Sequence, residues 1–177
     1  MEQGGMGPFQ VTRTREPVKS LEMVSNSAAQ TQNIGTTLGK LATAGDVILL
    51  VGPLGAGKTC LTQGIALGLG IHEYTASPSF VLVREYQGKL TLYHIDLYRL
   101  DRIEEIALLG LDDYLYGKGV CVIEWANKGL SVLPEEHLLI EMRIVSATKR
   151  KLSFVPLGKR YVQMLSKLKT IEAAGSN

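Results

Sequence analysis

The chain has 177 residues, enough for one globular domain with a hydrophobic core. Its 45% hydrophobic and 20% charged content is typical of a soluble protein, and a net charge of +2 gives no overall signal for nucleic-acid binding. No apolar run is long enough to cross a bilayer, and the N-terminus has no apolar signal-peptide core. The two cysteines, Cys60 and Cys121, show no C-x-x-C spacing. We therefore expect a cytoplasmic protein.

The N-terminal third begins with a segment that has no periodic pattern. Residues 1–17 contain glycines, prolines and scattered charges, which predicts a disordered leader. Residues 18–24 alternate apolar and polar side chains, as in a short edge strand. From 28 to 42, apolar residues recur every three or four positions after a possible cap at 25–27. This pattern predicts a helix that packs on a sheet.

A strand, a glycine-rich loop and a helix are predicted in succession from Val47 to Leu69. Residues 52–59, GPLGAGKT, match the phosphate-loop pattern G-x-x-x-x-G-K-[ST]. Gly55 and Gly57 lack a Cβ, so the backbone there can adopt positive φ and bring successive N–H groups close to phosphate oxygens. The stretch therefore predicts a nucleotide site.

The last two residues of this loop add a cation and a metal ligand. The helix that begins near Lys58 contributes its positive N-terminal dipole and free amides. Lys58 supplies a cation for the β- and γ-phosphates, and the Thr59 hydroxyl is placed to ligate the Mg²⁺ that bridges them.

Two β-rich runs follow, at 80–87 and 90–97, separated by Gly88-Lys89. A two-residue connection with glycine first predicts a type II′ hairpin. A strictly alternating nucleotide-binding fold would have a helix there. The predicted fold class is therefore α/β: a P-loop NTPase-like mixed sheet with an inserted antiparallel hairpin, flanked by helices.

The rest of the chain alternates short helical and strand patterns. The predicted elements are a helix at 101–110, a further turn at 111–116, a buried strand at 120–123, an antiparallel pair at 137–145 and 151–156, and a basic amphipathic helix at 159–169. We predict a single P-loop ATPase domain over 18–170 and a flexible tail over 171–177.

Two carboxylates come near the ends of predicted strands. Asp96 lies on one strand face with Leu92 and His94, and Glu124 ends the 120–123 run. Ligands of open α/β sheets lie outside the carboxyl ends of the strands, so both acids can face Mg²⁺ and the γ-phosphate. One can hold the metal through water while the other orients or deprotonates the attacking water. His94 could be a general base, although hydrogen bonding that orients Asp96 is favoured.

Four motifs in order resemble the bacterial TsaE (YjeE) family: GPLGAGKT at 52–59, SPSFVLV at 77–83, HIDLYRL at 94–100 and IEW at 123–125. The resemblance covers roughly Leu21 to Val145. That family is the ATPase component of the machinery that makes N6-threonylcarbamoyladenosine (t6A) in tRNA. The resemblance implies ATP and Mg²⁺ as cofactors and the TsaB and TsaD proteins as partners. It also implies that tRNA is a partner, which is bound either indirectly or through the basic C-terminal segment.

The resemblance also implies roles for individual residues. Lys58, Asp96 and Glu124 would be catalytic, with Glu124 as the catalytic carboxylate beside Trp125. The metal ligands would be Thr59, Asp96 and Glu124. The loop at 77–79 would be a switch-like segment near the γ-phosphate. The nucleotide would be bound by Gly52, Gly55, Ala56, Gly57, Lys58, Thr59, Cys60 and Ser79.

Three positions depart from the family pattern. Pro53 replaces an acidic residue and removes one N–H, Ser79 replaces a threonine but keeps a hydroxyl, and Cys60 replaces a hydroxyl residue. A thiol at a helix N-terminus has a lowered pKa, so Cys60 is either a reactive thiolate or a buried, inert thiol.

Three functions fit these motifs: an ATPase subunit of a tRNA-modifying assembly, a P-loop small-molecule kinase, and a nucleotide-sensing adaptor with little turnover. Asn127-Lys128 begins a guanine-recognition motif, but Leu130 stands where its carboxylate is needed, which favours ATP over GTP. Arg99 can stabilise charge in the site or pair with Glu104 or Glu105.

The C-terminal segment concentrates positive charge. Residues 143–169 hold eight basic residues and no acidic one. Lys149, Arg150 and Lys151 crowd one turn, where repulsion is tolerated more readily if an anionic partner surface or tRNA phosphate neutralises it. A solvated helix face is the alternative interpretation.

Overall fold

The computed structural model describes residues 20–175, which form a seven-stranded sheet with helices on both faces. The strands are β1 (Leu21–Ser25), β2 (Val47–Val51), β3 (Val83–Tyr86), β4 (Leu92–Asp96), β5 (Val120–Glu124), β6 (His137–Ile144) and β7 (Arg150–Leu157). The helices are α1 (Ala28–Leu41), α2 (Lys58–Gly68), α3 (Ile103–Ala107), α4 (Asp112–Leu115) and α5 (Lys159–Ala174). Two 3-10 turns cover Ala126–Lys128 and Leu130–Val132.

The sheet is mixed, with a parallel centre. Its strand order is β1-β7-β6-β2-β5-β4-β3. Strand β2 runs parallel to β5 and β6, and β4 runs parallel to β5, whereas the pairs β1–β7, β6–β7 and β3–β4 are antiparallel. The predicted α/β class with a mixed sheet and an antiparallel hairpin is confirmed. The carboxyl ends of β2, β4 and β5 meet at one edge of the sheet.

Strand β5 is the buried centre of the molecule. All five of its residues are buried, as predicted for a strand covered on both faces. Val120 and Val122 join the core under α1, α2 and α5, whereas Cys121 and Ile123 join the core under α3 and α4. Since side chains alternate along a strand, Glu124 projects to the α2 side.

The connection between β3 and β4 differs from the predicted type II′ turn. The register pairs Tyr86 with Leu92, so residues 87–91 form the connection and the two-residue turn is wrong. The reason is tertiary packing, because the Lys89 N–H donates to the Leu69 carbonyl oxygen at 2.8 Å. A Cβ on Gly88 would lie 2.5 Å from that same oxygen, so glycine is required by close approach.

The C-terminal helix is longer than predicted. Helix α5 continues to Ala174 and does not end at Lys169, so residues 171–174 of the predicted tail are helical. The predicted leader at 1–17 lies outside the described residues. Within 20–175, none of the helices has the length and apolar character needed to cross a membrane. The cytoplasmic location and the 18–170 domain stay predictions.

Helices α1 and α2 pack with their backbones in unusually close contact. Gly35 and Gly39 of α1 face Gly64 and Gly68 of α2. A Cβ on Gly64 would lie 2.2 Å from the backbone oxygen of Gln32, so a side chain cannot fit without separating the helices. Since α2 carries the end of the phosphate loop, this contact fixes the loop relative to α1.

We expect Gly64→Ala to lower the free energy of unfolding by about 1–3 kcal/mol, the usual cost of overpacking. Alanine is the better helix former, so a loss has to come from the helix contact. Gly175→Ala is the matched control, because its Cβ would meet only ordinary contacts beyond 3.4 Å. Urea unfolding of both variants tests this. Equal stability of the two variants would contradict the packing argument.

Candidate active site

The phosphate loop joins the carboxyl end of β2 to α2 as the sequence predicted. Gly55 (φ +79°) and Gly57 (φ +98°) both adopt the left-handed conformation expected of them. Gly57 is also the N-terminal cap of α2, so the first free amides of that helix follow it directly. Both glycines therefore have the positive φ angles that the sequence predicted for the phosphate loop.

A cavity of about 350 Å³ opens between this loop and the ends of β4 and β5. It is lined by Leu54, Gly55, Gly57, Lys58, Thr59, Cys60, Ser77, Ser79, Asp96, Tyr98, Glu124 and Trp125. Two predicted nucleotide contacts are absent from this lining. Gly52 lies against the Met142 backbone, and the buried Ala56 donates its N–H to the Pro53 carbonyl at 3.1 Å.

Lys58 is held inside the loop by the loop's own carbonyls. Its Nζ donates to Gly52 O at 2.6 Å and to Pro53 O at 3.0 Å, and lies 3.9 Å from the centroid of the Trp125 ring. Burial lowers the pKa of Lys58, while the nearby charges of Glu124 and Asp96 act in the opposite direction. A bound phosphate would offer this buried cation an anionic partner in place of neutral carbonyls.

The two predicted carboxylates lie side by side. Asp96 and Glu124 are partners in the β4–β5 register, and each is 2% exposed. Glu124 Oε2 accepts a hydrogen bond from Thr59 Oγ1 at 3.0 Å. Asp96 accepts from the Ser77 hydroxyl and, at 2.8 Å, from the Tyr98 N–H. The structure thus brings Asp96 and Glu124 together with the end of the phosphate loop.

His94 contacts a different carboxylate from the one predicted. Its Nε2 lies 2.7 Å from Glu124 Oε1, so the expectation that it orients Asp96 is wrong. His94 and Asp96 are two residues apart on one strand, which separates their Cα atoms by about 6–7 Å. Glu124 on the neighbouring strand is within reach.

Arg99, for which two roles were open, stacks its guanidinium 4.0 Å from the centroid of the Phe80 ring. Glu105, one of its predicted partners, lies instead 4.0 Å from Arg102 and accepts backbone N–H bonds.

The oxygen groups of the site suit Mg²⁺, which takes part of its coordination shell from water and phosphates, better than they suit a metal ion that is coordinated by protein side chains alone. Residues 20–175 contain no cluster of three or more His, Cys, Asp or Glu side chains that could enclose a metal. Thr59, Asp96 and Glu124 offer hard oxygen ligands on one side of the cavity. Mg²⁺ typically takes one or two carboxylates and completes its shell with water and substrate phosphates.

Of the two interpretations left open for Cys60, its surroundings favour the inert thiol. Burial raises its pKa, although the Arg150 charge partly opposes the shift. Its Sγ donates to the Ala28 carbonyl at 3.4 Å. The thiol also lies between the first cavity and a second one of about 310 Å³ at the start of α1. A thiol in this position has less thiolate at neutral pH than the helix dipole alone suggests.

Arg150 is a site residue that the sequence analysis assigned elsewhere. It lines the second cavity, and its Nη2 donates to the Gly55 carbonyl at 3.1 Å while Nη1 donates to Ser146 O at 2.8 Å. The β6–β7 turn is thereby tied to the phosphate loop. Lys151 Nζ pairs with Glu22 Oε1 at 2.9 Å. Two of the three crowded basic side chains are thus engaged within the fold, whereas the side chain of Lys149 is exposed, and an anionic partner for the turn stays a prediction.

Comparisons with known proteins agree on one family. The family model described as "Threonylcarbamoyl adenosine biosynthesis protein TsaE" matches residues 25–152. The chain is 45% identical to the Treponema pallidum "tRNA threonylcarbamoyladenosine biosynthesis protein TsaE" over 75% of this chain and 98% of that protein. The Bacillus subtilis protein of that name is 40% identical over 85% and 95%, respectively. A crystal structure of Bacillus subtilis YdiB superposes with a TM-score of 0.79 and 36% identity, over 89% of this chain and 99% of that one.

We expect Lys58→Ala to weaken ATP binding about tenfold or more, because a charge-assisted contact in this loop is worth ~1.5–3 kcal/mol. Isothermal titration with Mg-ATP measures the change. Lys118→Ala is the control, because Lys118 is exposed and precedes the amino end of β5. Unchanged affinity of the Lys58 variant would contradict the phosphate-loop assignment.

We expect Cys60 to be alkylated by iodoacetamide more slowly at neutral pH than free cysteine, because its raised pKa leaves less thiolate. The rate should continue to rise with pH beyond the midpoint of a free thiol at about 8.5. Saturating Mg-ATP should protect Cys60, since the thiol borders the first cavity. Mass spectrometry distinguishes Cys60 from Cys121, which is fully buried. Rapid labelling at pH 7 would contradict the raised pKa.

Proposed function

Because the chain belongs to the TsaE family, we propose that it is a Mg²⁺-dependent subunit that binds and hydrolyses ATP and is required for t6A modification of tRNA. Its relatives are named for t6A biosynthesis. The observation that carries the ATPase assignment is the 3.0 Å contact between Glu124 Oε2 and Thr59 Oγ1. That contact places a buried carboxylate against the hydroxyl that ends the phosphate loop.

The chain provides separate places for the two halves of the nucleotide. The phosphates would lie in the first cavity, against the loop backbone and the amides at the start of α2. Lys58 would exchange its bonds to Gly52 and Pro53 for phosphate oxygens. The second cavity, which shares Gly57 and Cys60 with the first, would receive the nucleoside.

The two carboxylates share the metal site, and Glu124 also acts on water. Mg²⁺, held by Thr59, Asp96 and Glu124 together with phosphate oxygens, would neutralise the charge that develops during phosphoryl transfer. Asp96 is oriented for this by Ser77 and by the Tyr98 N–H. Ser77 belongs to the switch-like 77–79 loop, so the position of that loop and the orientation of Asp96 depend on each other.

Glu124 is the group that orients or deprotonates the attacking water. Its carboxylate is 2% exposed, and its Oε2 is directed toward the cavity side, where Thr59 lies. In a poorly solvated site, fixed charges act more strongly than in bulk water and do not have to reorganise during the reaction. The buried Lys58 charge close by balances part of this negative charge.

The fold favours hydrolysis over transfer to a small-molecule acceptor. A kinase needs an acceptor pocket and usually an arginine-bearing lid, and residues 80–97 were the segment that could have held one. In this structure the segment contains β3 and β4, which form an antiparallel pair at one end of the sheet and therefore do not form a lid. A nucleotide-sensing adaptor is distinguished by turnover, because it would bind Mg-ATP without releasing phosphate at an appreciable rate.

The proposed partners are the TsaB and TsaD proteins, which the resemblance to the TsaE family implies, and the relatives are named for tRNA threonylcarbamoyladenosine biosynthesis. Direct tRNA contact through residues 143–169 has narrower support. Lys149, Lys159, Lys167 and Lys169 are exposed. Arg160, by contrast, pairs with the buried Asp46 at 2.6 Å, Lys151 pairs with Glu22, and Arg150 donates to backbone carbonyls.

We expect Glu124→Gln still to bind ATP and to lose at least ~10²-fold in turnover, because glutamine preserves size and hydrogen bonding but cannot accept the proton from water. Phosphate release and ATP titration should both be measured, with and without TsaB and TsaD. Glu136→Gln is the control, since Glu136 is exposed and lines a cavity next to Asp46 at the amino end of β2. Unchanged turnover of the Glu124 variant would make Glu124 structural and Asp96 the leading candidate.

A further inference from the structure

His94 is the most deeply buried titratable side chain beside the site, and the reaction described above does not use it. It lies on β4 with 0% exposure, and its Nε2 is 2.7 Å from Glu124 Oε1. Its other ring nitrogen, Nδ1, is also buried and has no hydrogen-bond partner among residues 20–175. The ring therefore makes one polar contact, and that contact is to the proposed catalytic carboxylate.

Packing alone does not explain an imidazole at this position, because its buried Nδ1 has no hydrogen-bond partner among residues 20–175. Buried polar atoms are nearly always hydrogen-bonded, and an unpaired one destabilises the folded state. Leu92 on the same strand face and Val122 opposite His94 on β5 show that the surrounding layer accepts apolar side chains. An apolar residue at position 94 would leave no orphaned nitrogen. The property that distinguishes histidine here is the bond to Glu124.

The two oxygens of Glu124 have different partners. Oε1 faces the buried His94 of β4, and Oε2 faces the hydroxyl of Thr59 at the end of the phosphate loop. The neutral tautomer that carries its proton on Nε2 satisfies Oε1 as an acceptor. A carboxylate bound at both oxygens cannot rotate about its terminal bond without breaking a buried hydrogen bond.

We propose that His94 is a positioning residue for Glu124: its Nε2–H holds Oε1, so that Oε2 is the oxygen presented to the cavity and to the attacking water. This inference rests on the proposed ATPase function. His94 touches neither nucleotide nor water in this role. Removing it should affect the rate of the chemical step and leave ATP binding largely unchanged, because Lys58 and the loop amides do not contact it.

The first experiment compares three full-length variants in ATP hydrolysis and in Mg-ATP titration. We expect His94→Leu to lower kcat at least ~10-fold, as loss of an orienting partner typically does, with Kd for ATP within about twofold. His94→Gln should recover most of kcat, because its amide nitrogen can reach the Nε2 position. Val122→Ala, which creates a small cavity in the same layer, should keep kcat within about twofold.

Three results in that experiment would overturn the inference. They are a wild-type kcat in His94→Leu, a His94→Gln variant as slow as His94→Leu, and an equal loss of kcat in Val122→Ala. The last of these would show that a loosened core, and not the lost bond, reduces the rate. Absence of ATP hydrolysis in the wild-type protein would instead contradict the proposed function.

A second measurement tests the contact without any activity. Spectra of protein with ¹⁵N-labelled histidine should show His94 as the Nε2–H tautomer, with ring signals that move in Glu124→Gln. His137 is an internal reference for the other tautomer. Its Nδ1 lies 2.7 Å from the Pro134 carbonyl oxygen, which can only accept, so Nδ1 carries the proton. A His94 ring protonated on Nδ1 alone, or signals that ignore Glu124→Gln, would overturn the inference even if the protein hydrolyses ATP.

Discussion

The buried carboxylate of Glu124 is the constraint on which the arrangement of the site depends. A negative charge that is 2% exposed at the end of a central strand is unstable unless neighbouring groups bond to it or balance its charge. Three groups from two elements meet this need: His94 of β4 and, at the start of α2, the Thr59 hydroxyl and the charge of Lys58. Parallel pairing of β5 with β2 and β4 is what brings them within reach.

Contacts with α1 and with Arg150 hold the phosphate loop from outside, whereas the hydrogen bonds inside the loop can be exchanged for others. Outside the loop, the glycine contact between α1 and α2 fixes the helix, and Arg150 holds the Gly55 carbonyl. Inside it, Lys58 and the Ala56 N–H both donate to Pro53 O. In the proposed function, phosphate binding would therefore exchange hydrogen-bond partners within the loop while these outer contacts stay in place.

The sequence was sufficient to predict the phosphate loop, the central strands and the two strand-end acids, because each follows from local periodicity or a short motif. It was insufficient where a partner lies on another element. The His94 bond to Glu124 depends on strand register, the connection after Tyr86 depends on packing against Leu69, and Arg150 reaches the loop across the β6–β7 turn. The Cys60 pKa followed burial and not the helix dipole, since desolvation depends on neighbours distant in sequence.

The proposed function requires this site to transfer the γ-phosphoryl group of ATP to water. The decisive test is turnover of Mg-ATP in ¹⁸O-labelled water, with TsaB and TsaD present and no other acceptor added. Mass spectrometry of the products reports where the phosphoryl group went. We expect inorganic phosphate that carries one oxygen from the solvent. Transfer of unlabelled phosphate to another molecule, or ATP that remains intact while bound at saturation, would contradict it.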